Sequence, residues 1–161
     1  MEGDRAVGRL ALVWQVIRLS WVADAFFAQV CYRGKARLQR FRVPLVPSIL
    51  HRLAMMHAQV CIGNPVVIAP GLYLPHGQVV IDGITTLGGN VVVFPWVTIG
   101  LKAGTIQGPT LADGVNIGTG AKVLGAITLG EGCMVGANAV VVDDVAPRTT
   151  VVGIPARRLE R

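Results

Sequence analysis

His76 is the one histidine between residues 61 and 161, and it stands where the chain interrupts its own rhythm. An imidazole titrates near neutral pH, so at such a place it can take the proton of an attacking hydroxyl. The nearest carboxylate in sequence is Asp82, six residues further on, which makes it a candidate partner to fix the tautomer of that base. His51 and His57 belong to the N-terminal segment and carry no comparable signal. Cys31, Cys61 and Cys133 show neither CxxC nor His/Cys ligand spacing, so no metal site is expected and the thiols read as free.

The rhythm itself is a period of six. Aliphatic residues stand at Ile62, Ile68, Leu74, Ile81, Leu87, Val93, Ile99, Leu111, Ile117, Val123, Leu129, Val135 and Val141, and glycine often follows directly. An amphipathic helix would repeat at about 3.6 residues and a half-buried strand at two. A fixed period of six means one short strand and one corner per unit, each burying its aliphatic residue only by stacking on neighbours, as in a parallel β-helix. Glycine serves the corners. Two irregularities break the count: one extra residue just after His76, and a twelve-residue gap between Ile99 and Leu111. The insertion Leu101–Thr110 should therefore protrude from the stack, and loops on rigid scaffolds commonly carry specificity.

Three regions follow from this pattern. Residues 1–60 form an N-terminal helical segment, basic and apolar; residues 61–146 form the β-helix; residues 147–161 form a tail. A mostly apolar helix is expected over 9–32, ended by Arg33-Gly34, and a second over roughly 48–59 after Pro44 and Pro47. The net charge of +6 resides wholly in residues 1–60, which hold nine of the fifteen basic residues (Arg5, Arg9, Arg18, Arg33, Lys35, Arg37, Arg40, Arg42 and Arg52) and three acids, Glu2, Asp4 and Asp24. No nucleic-acid recognition motif accompanies them, so an anionic membrane surface or a phosphate-bearing substrate suits the charge better. No uncharged apolar run reaches 18 residues, and Arg18 and Asp24 interrupt the N-terminal apolar stretch, so neither a membrane span nor a signal peptide is expected. A cytoplasmic protein, with peripheral contact at the inner membrane face, is the expectation.

The stretch Cys61–Arg158 resembles the hexapeptide-repeat acyltransferases, and within them the serine acetyltransferase family. The matching pieces are Pro70-Gly71-Leu72-Tyr73-Leu74-Pro75-His76, Val97-Thr98-Ile99-Gly100, Gly118-Thr119-Gly120-Ala121-Lys122-Val123-Leu124-Gly125, Gly136-Ala137-Asn138-Ala139-Val140-Val141 and Val152-Gly153-Ile154-Pro155-Ala156-Arg157. The resemblance implies a mainly β fold, a left-handed parallel β-helix with a short helical segment ahead of it, a homotrimer, and transfer of an acetyl group from acetyl-CoA to a hydroxyl. His76 would be the general base. CoA would lie between subunits along the C-terminal coils, against Gly100, Gly120, Ala121, Lys122, Ala137 and Asn138, with Pro155, Arg157 and Arg158 near the adenosine.

The chain departs from the family at two places. Cys61 stands where the family carries an aspartate one coil before the base, and a thiol cannot stabilise an imidazolium as a carboxylate does. Gln107-Gly108-Pro109 stands where the family has a histidine before the proline, a residue that helps bind serine. With the basic, apolar N-terminus, these departures favour a sugar hydroxyl of a polysaccharide or lipid-linked glycan as acceptor. L-serine is the alternative, and a non-catalytic β-helix scaffold is the third reading.

Overall fold

The computed structural model describes residues 8–23 and 25–160, in which three helices precede a prism of stacked coils. Glu2, Asp4, Arg5, Asp24 and Arg161 lie outside the described residues.

The prism has three faces. The first stacks Val60–Ile62, Val79–Ile81, Thr98–Gly100, Lys122–Leu124 and Val140–Val141; the second stacks Val67–Ile68, Ile84–Leu87, Gln107–Leu111 and Thr128–Leu129. The third stacks Val92–Val93, Asn116–Ile117, Met134–Val135 and Thr150–Val152, with Arg157–Arg158 returning antiparallel on its edge. Every other pairing is parallel. Val80 pairs with Thr98 and Lys122 with Val140, so an ordinary coil is three hexads. Val60 pairs with Val79 and Thr98 with Lys122, so the first coil carries the extra residue near His76 and the third carries one extra hexad.

Most of the short strands send one aliphatic side chain inward, Val60–Ile62 and Val79–Ile81 send two, and Arg157–Arg158 sends none. Ile81, Ile99, Ile117, Val123 and Leu129 are completely buried, and burying such a side chain is worth about 1.5–3 kcal/mol before ordering costs. The prism begins at Val60 and continues through Thr150–Val152, past the expected boundary at 146, because the last coil needs that strand to close its third face.

The helices are α1 (Arg9–Val22), α2 (Phe26–Arg40) and α3 (Val46–Ala58). The single helix expected over 9–32 is two helices, and α2 runs straight through Arg33-Gly34. Gly34 is there for packing and not to end a helix. A Cβ on it would come within 3.2 Å of Leu50 Cδ1, so the missing side chain lets α2 and α3 approach. Pro47 sits in the first turn of α3, where its missing N–H costs nothing.

Helix α2 caps the open end of the β-helix. The first coil leaves carbonyls with no preceding coil to pair with, a sheet edge that must be covered. Tyr32 Oη donates to Val66 O at 2.9 Å, Arg33 to Ile68 O at 2.6 Å and to Ala69 O at 2.8 Å, and Lys35 Nζ to Ile62 O at 2.6 Å. Lys35 is only 2% exposed. Burial pushes its pKa down, against the opposing pull of Cys61 and Asp82. Of the basic residues 33–42, Arg33 and Lys35 are thus committed to the fold by hydrogen bonds, Arg33 while still exposed, and Arg37, Arg40 and Arg42 are exposed too. Helix α1 exposes Leu10, Trp14, Ile17, Trp21 and Val22. Among the described residues no helix is long and apolar enough to cross a membrane.

Candidate active site

One edge of the prism carries a ladder of corner residues. Gln78, Trp96, Gly120 and Asn138 occupy equivalent positions on successive coils, all with left-handed φ of 63°, 66°, 73° and 57°. The rungs are tied by Gln78 N–H to Ala58 O at 2.9 Å, Trp96 N–H to Gln78 O at 2.8 Å, Gly120 N–H to Pro95 O at 2.9 Å and Asn138 N–H to Thr119 O at 2.8 Å. Gly120 has two reasons to be glycine: its φ, and a Cβ that would run into Asn138 Oδ1.

His76 stands at the head of this ladder, exposed, where the extra residue lets the chain swing out before Val79. Gly77 sets its position. A Cβ on Gly77 would overlap the carbonyl of Ala58, the last residue of α3. This corner is therefore pressed against the end of α3, and an open cleft of about 480 Å³ forms there, lined by Met56, His57, Gln59, His76, Gln78 and Trp96. His57, set aside in the sequence, shares the cleft with His76, its ring edge-on to Phe27 at 5.1 Å. No spacing rule could have found it, because α3 and the His76 corner meet only in the folded chain.

Asp82 lies elsewhere. It follows strand Val79–Ile81 while His76 precedes it, so the two stand at opposite ends of that strand. Asp82 lines a second cleft of about 430 Å³ with Ser48, His51, Arg52, Cys61 and Asn64. Burial raises the Cys61 thiol, Asp82 raises it further and Lys35 opposes, so Cys61 stays protonated near neutrality. His51 is shifted down by burial and by Lys35, against Asp82. Cys133 lies in the core, its pKa raised by burial to about 11.

The expected CoA contacts divide in the same way. Ala137 and Asn138 are exposed on the His76 edge, and Lys122 Nζ reaches back to Trp96 O at 2.6 Å. Ala121 is fully buried with its methyl inward, and its N–H donates to Gly118 O at 3.2 Å, so it forms the wall behind the ladder. Gly100 stands on the opposite edge beside Asp82, where a Cβ would meet only ordinary contacts from 3.6 Å outward. The corner does not demand glycine there. Residues 101–106 project exposed from that same edge, whereas residues 107–110, expected to protrude with them, pair as a strand with Ile84–Leu87 in the second face. Pro155 and Arg158 are exposed at the far end, and Arg157 pairs with Asp143 at 3.3 Å on the surface. Among the described residues no group of His, Cys, Asp and Glu could hold a metal.

A three-faced prism of hexads with a histidine at the head of a corner ladder defines a left-handed β-helix acyltransferase architecture. No family model matches the chain. It is 38% identical over 139 residues to the serine acetyltransferase of Synechococcus elongatus, covering 84% of this chain and 57% of that protein. It is 36% identical over 152 residues to the serine acetyltransferase of Helicobacter pylori, covering 92% of this chain and 86% of that protein. Among solved structures it superposes on Neisseria gonorrhoeae serine acetyltransferase in complex with serine with a TM-score of 0.77 at 33% identity, over 83% of this chain and 56% of that one. The soybean apoenzyme gives 0.78 at 36%, over 84% and 57%. The chain spans a little over half the length of several of these relatives and most of the Helicobacter one. The protein belongs to the serine acetyltransferase family.

Proposed function

We propose that the protein transfers an acetyl group from acetyl-CoA to the hydroxyl of L-serine, working as a homotrimer with His76 as general base. One observation carries this reading: in a chain 36% identical to a serine acetyltransferase over nearly its whole length, the sole histidine of the β-helix heads the ladder where the resemblance puts the base. His76 takes the serine hydroxyl proton as the oxygen attacks the thioester carbonyl. The C–S bond then breaks, and the imidazolium returns its proton to the CoA sulfur, leaving O-acetylserine and CoA. Holding both substrates in line supplies much of the remaining acceleration.

The separation of candidate residues onto two edges supports the trimer. His76 and the 120–138 ladder occupy one edge, and Asp82, Gly100 and the 101–106 projection another, so three-fold closure would set one subunit's ladder against the next subunit's loop. Serine is preferred here over the sugar hydroxyl. The departures at Cys61 and Gly108 remove two groups without introducing any sugar-binding feature, and the similar proteins named above are serine acetyltransferases.

The test is release of free thiol from acetyl-CoA with L-serine and, separately, with a panel of simple and nucleotide sugars. Serine-dependent release lost in His76→Ala is expected. Release driven by a sugar and not by serine would overturn the acceptor.

A further inference from the structure

Trp96 occupies a backbone conformation that suits glycine, and its side chain is 60% exposed beside the proposed base. For a bulky residue a φ of 66° is an outlier that costs free energy, and such outliers collect where the side chain is needed. The same corner on the next coil is filled by Gly120, so the fold accepts glycine at this kind of position. Tryptophan at 96 is not explained by the corner, nor by the core, since its indole is mostly in solvent.

Its height on the ladder suggests what it does. Successive coils are about 4.8 Å apart, and Trp96 sits one rung from Gln78 on the His76 side and one rung from Gly120 on the other. Lys122 holds the Trp96 carbonyl at 2.6 Å, fixing the corner from below. A thioester whose pantetheine runs along Gly120 and Asn138 must pass Trp96 before its carbonyl reaches His76. We infer that Trp96 is a specificity-determining residue: its indole walls the acyl end of the CoA groove, so that a short acyl group fits between it and His76 and a longer one does not. This rests on the acyl-transfer reading above.

The experiment compares wild type, Trp96→Ala and Trp96→Phe with acetyl-CoA and butyryl-CoA at saturating serine. Hydrophobic pockets discriminate roughly 10- to 200-fold per methylene, and butyryl carries two more than acetyl, so Trp96→Ala should raise the butyryl-to-acetyl ratio of kcat/KM by about 100-fold or more, with Trp96→Phe close to the wild-type ratio. Calorimetric affinities for the two thioesters, which need no turnover, should shift in the same direction. With Trp14 and Trp21 changed to Phe, the emission of Trp96 should respond to added CoA. An unchanged selectivity in Trp96→Ala, an emission indifferent to CoA, or loss of the trimer on light scattering would each overturn the inference; the last would make Trp96 an interface residue. If wild type releases no thiol with serine but the affinity and emission changes appear, the serine reading fails and the assignment of Trp96 stands.

Discussion

Gly77→Ala tests whether the end of α3 positions His76. A Cβ on residue 77 would fall 2.7 Å from the Ala58 carbonyl carbon and closer still to its oxygen. Carbon pairs prefer roughly 3.5–4.0 Å, so relief needs a displacement of about 1 Å, shared between the last turn of α3 and the corner that holds His76. Ala58 is 9% exposed and Val60 beyond it 1%, so the helix end is packed and the corner, with His76 exposed, is the part free to give. Misplacing a catalytic group by about 1 Å costs on the order of 10²-fold in rate. Overpacking of this kind costs about 1–3 kcal/mol, a Tm drop of roughly 2–10 °C for a chain this size. The assay is thiol release with serine, alongside calorimetric CoA affinity and a thermal melt. Expected are a kcat lowered about 100-fold, CoA affinity within about threefold of wild type, and a lower Tm. Gly89→Ala is the control, because its Cβ would meet nothing nearer than 3.6 Å and its φ lies outside the left-handed range; it should change stability by less than about 0.5 kcal/mol. Full activity with an unchanged melt in Gly77→Ala would refute the claim that this contact sets the base.

Three further expectations follow from the same geometry. His76→Ala should lose about 10²–10⁴-fold in kcat while CoA binding and oligomeric state persist; turnover near wild type would remove it as the base. The folded-state pKa of His51 is depressed by burial and by Lys35, so between that value and 6.5 the unfolded chain binds the extra proton and stability should rise with pH. His51→Gln should flatten that rise in denaturant titrations taken across pH 5 to 7, and an unaltered pH slope would place the proton elsewhere. Finally, vesicles containing anionic lipid should retain the protein at low salt, and replacing Arg37, Arg40 and Arg42 with glutamine should release it. Absence of sedimentation with wild type would leave the exposed apolar face of α1 to another subunit.

The hexad count was legible because each coil must bury one aliphatic residue per strand, and a stack forces that demand to recur at fixed intervals. Ile62, Ile81, Ile99, Val123 and Val141 accordingly all lie inside. The break after His76 was legible for the same reason, since an extra residue in a fixed stack must bulge. The helical segment was less so. Gly34 reads as a stop in sequence, yet in the fold it is the place where α2 meets Leu50, and tertiary contact overrides local propensity.

The sequence by itself determined the prism, its six-residue repeat, the site of its two irregularities and the candidacy of His76, because these depend on periodicity and residue chemistry alone. It also carried the family, through the motif pieces between Pro70 and Arg157. Only the tertiary structure decided who stands beside whom. It put His57 and Trp96 in the cleft of His76, sent Asp82 to the far end of a strand, and turned Ala121 inward. It also turned Arg33 and Lys35 onto the open carbonyls of the first coil, and buried Lys35 there. Those outcomes depend on which carbonyls an open coil leaves unpaired and on where a helix end comes to rest, neither of which has a spacing along the chain.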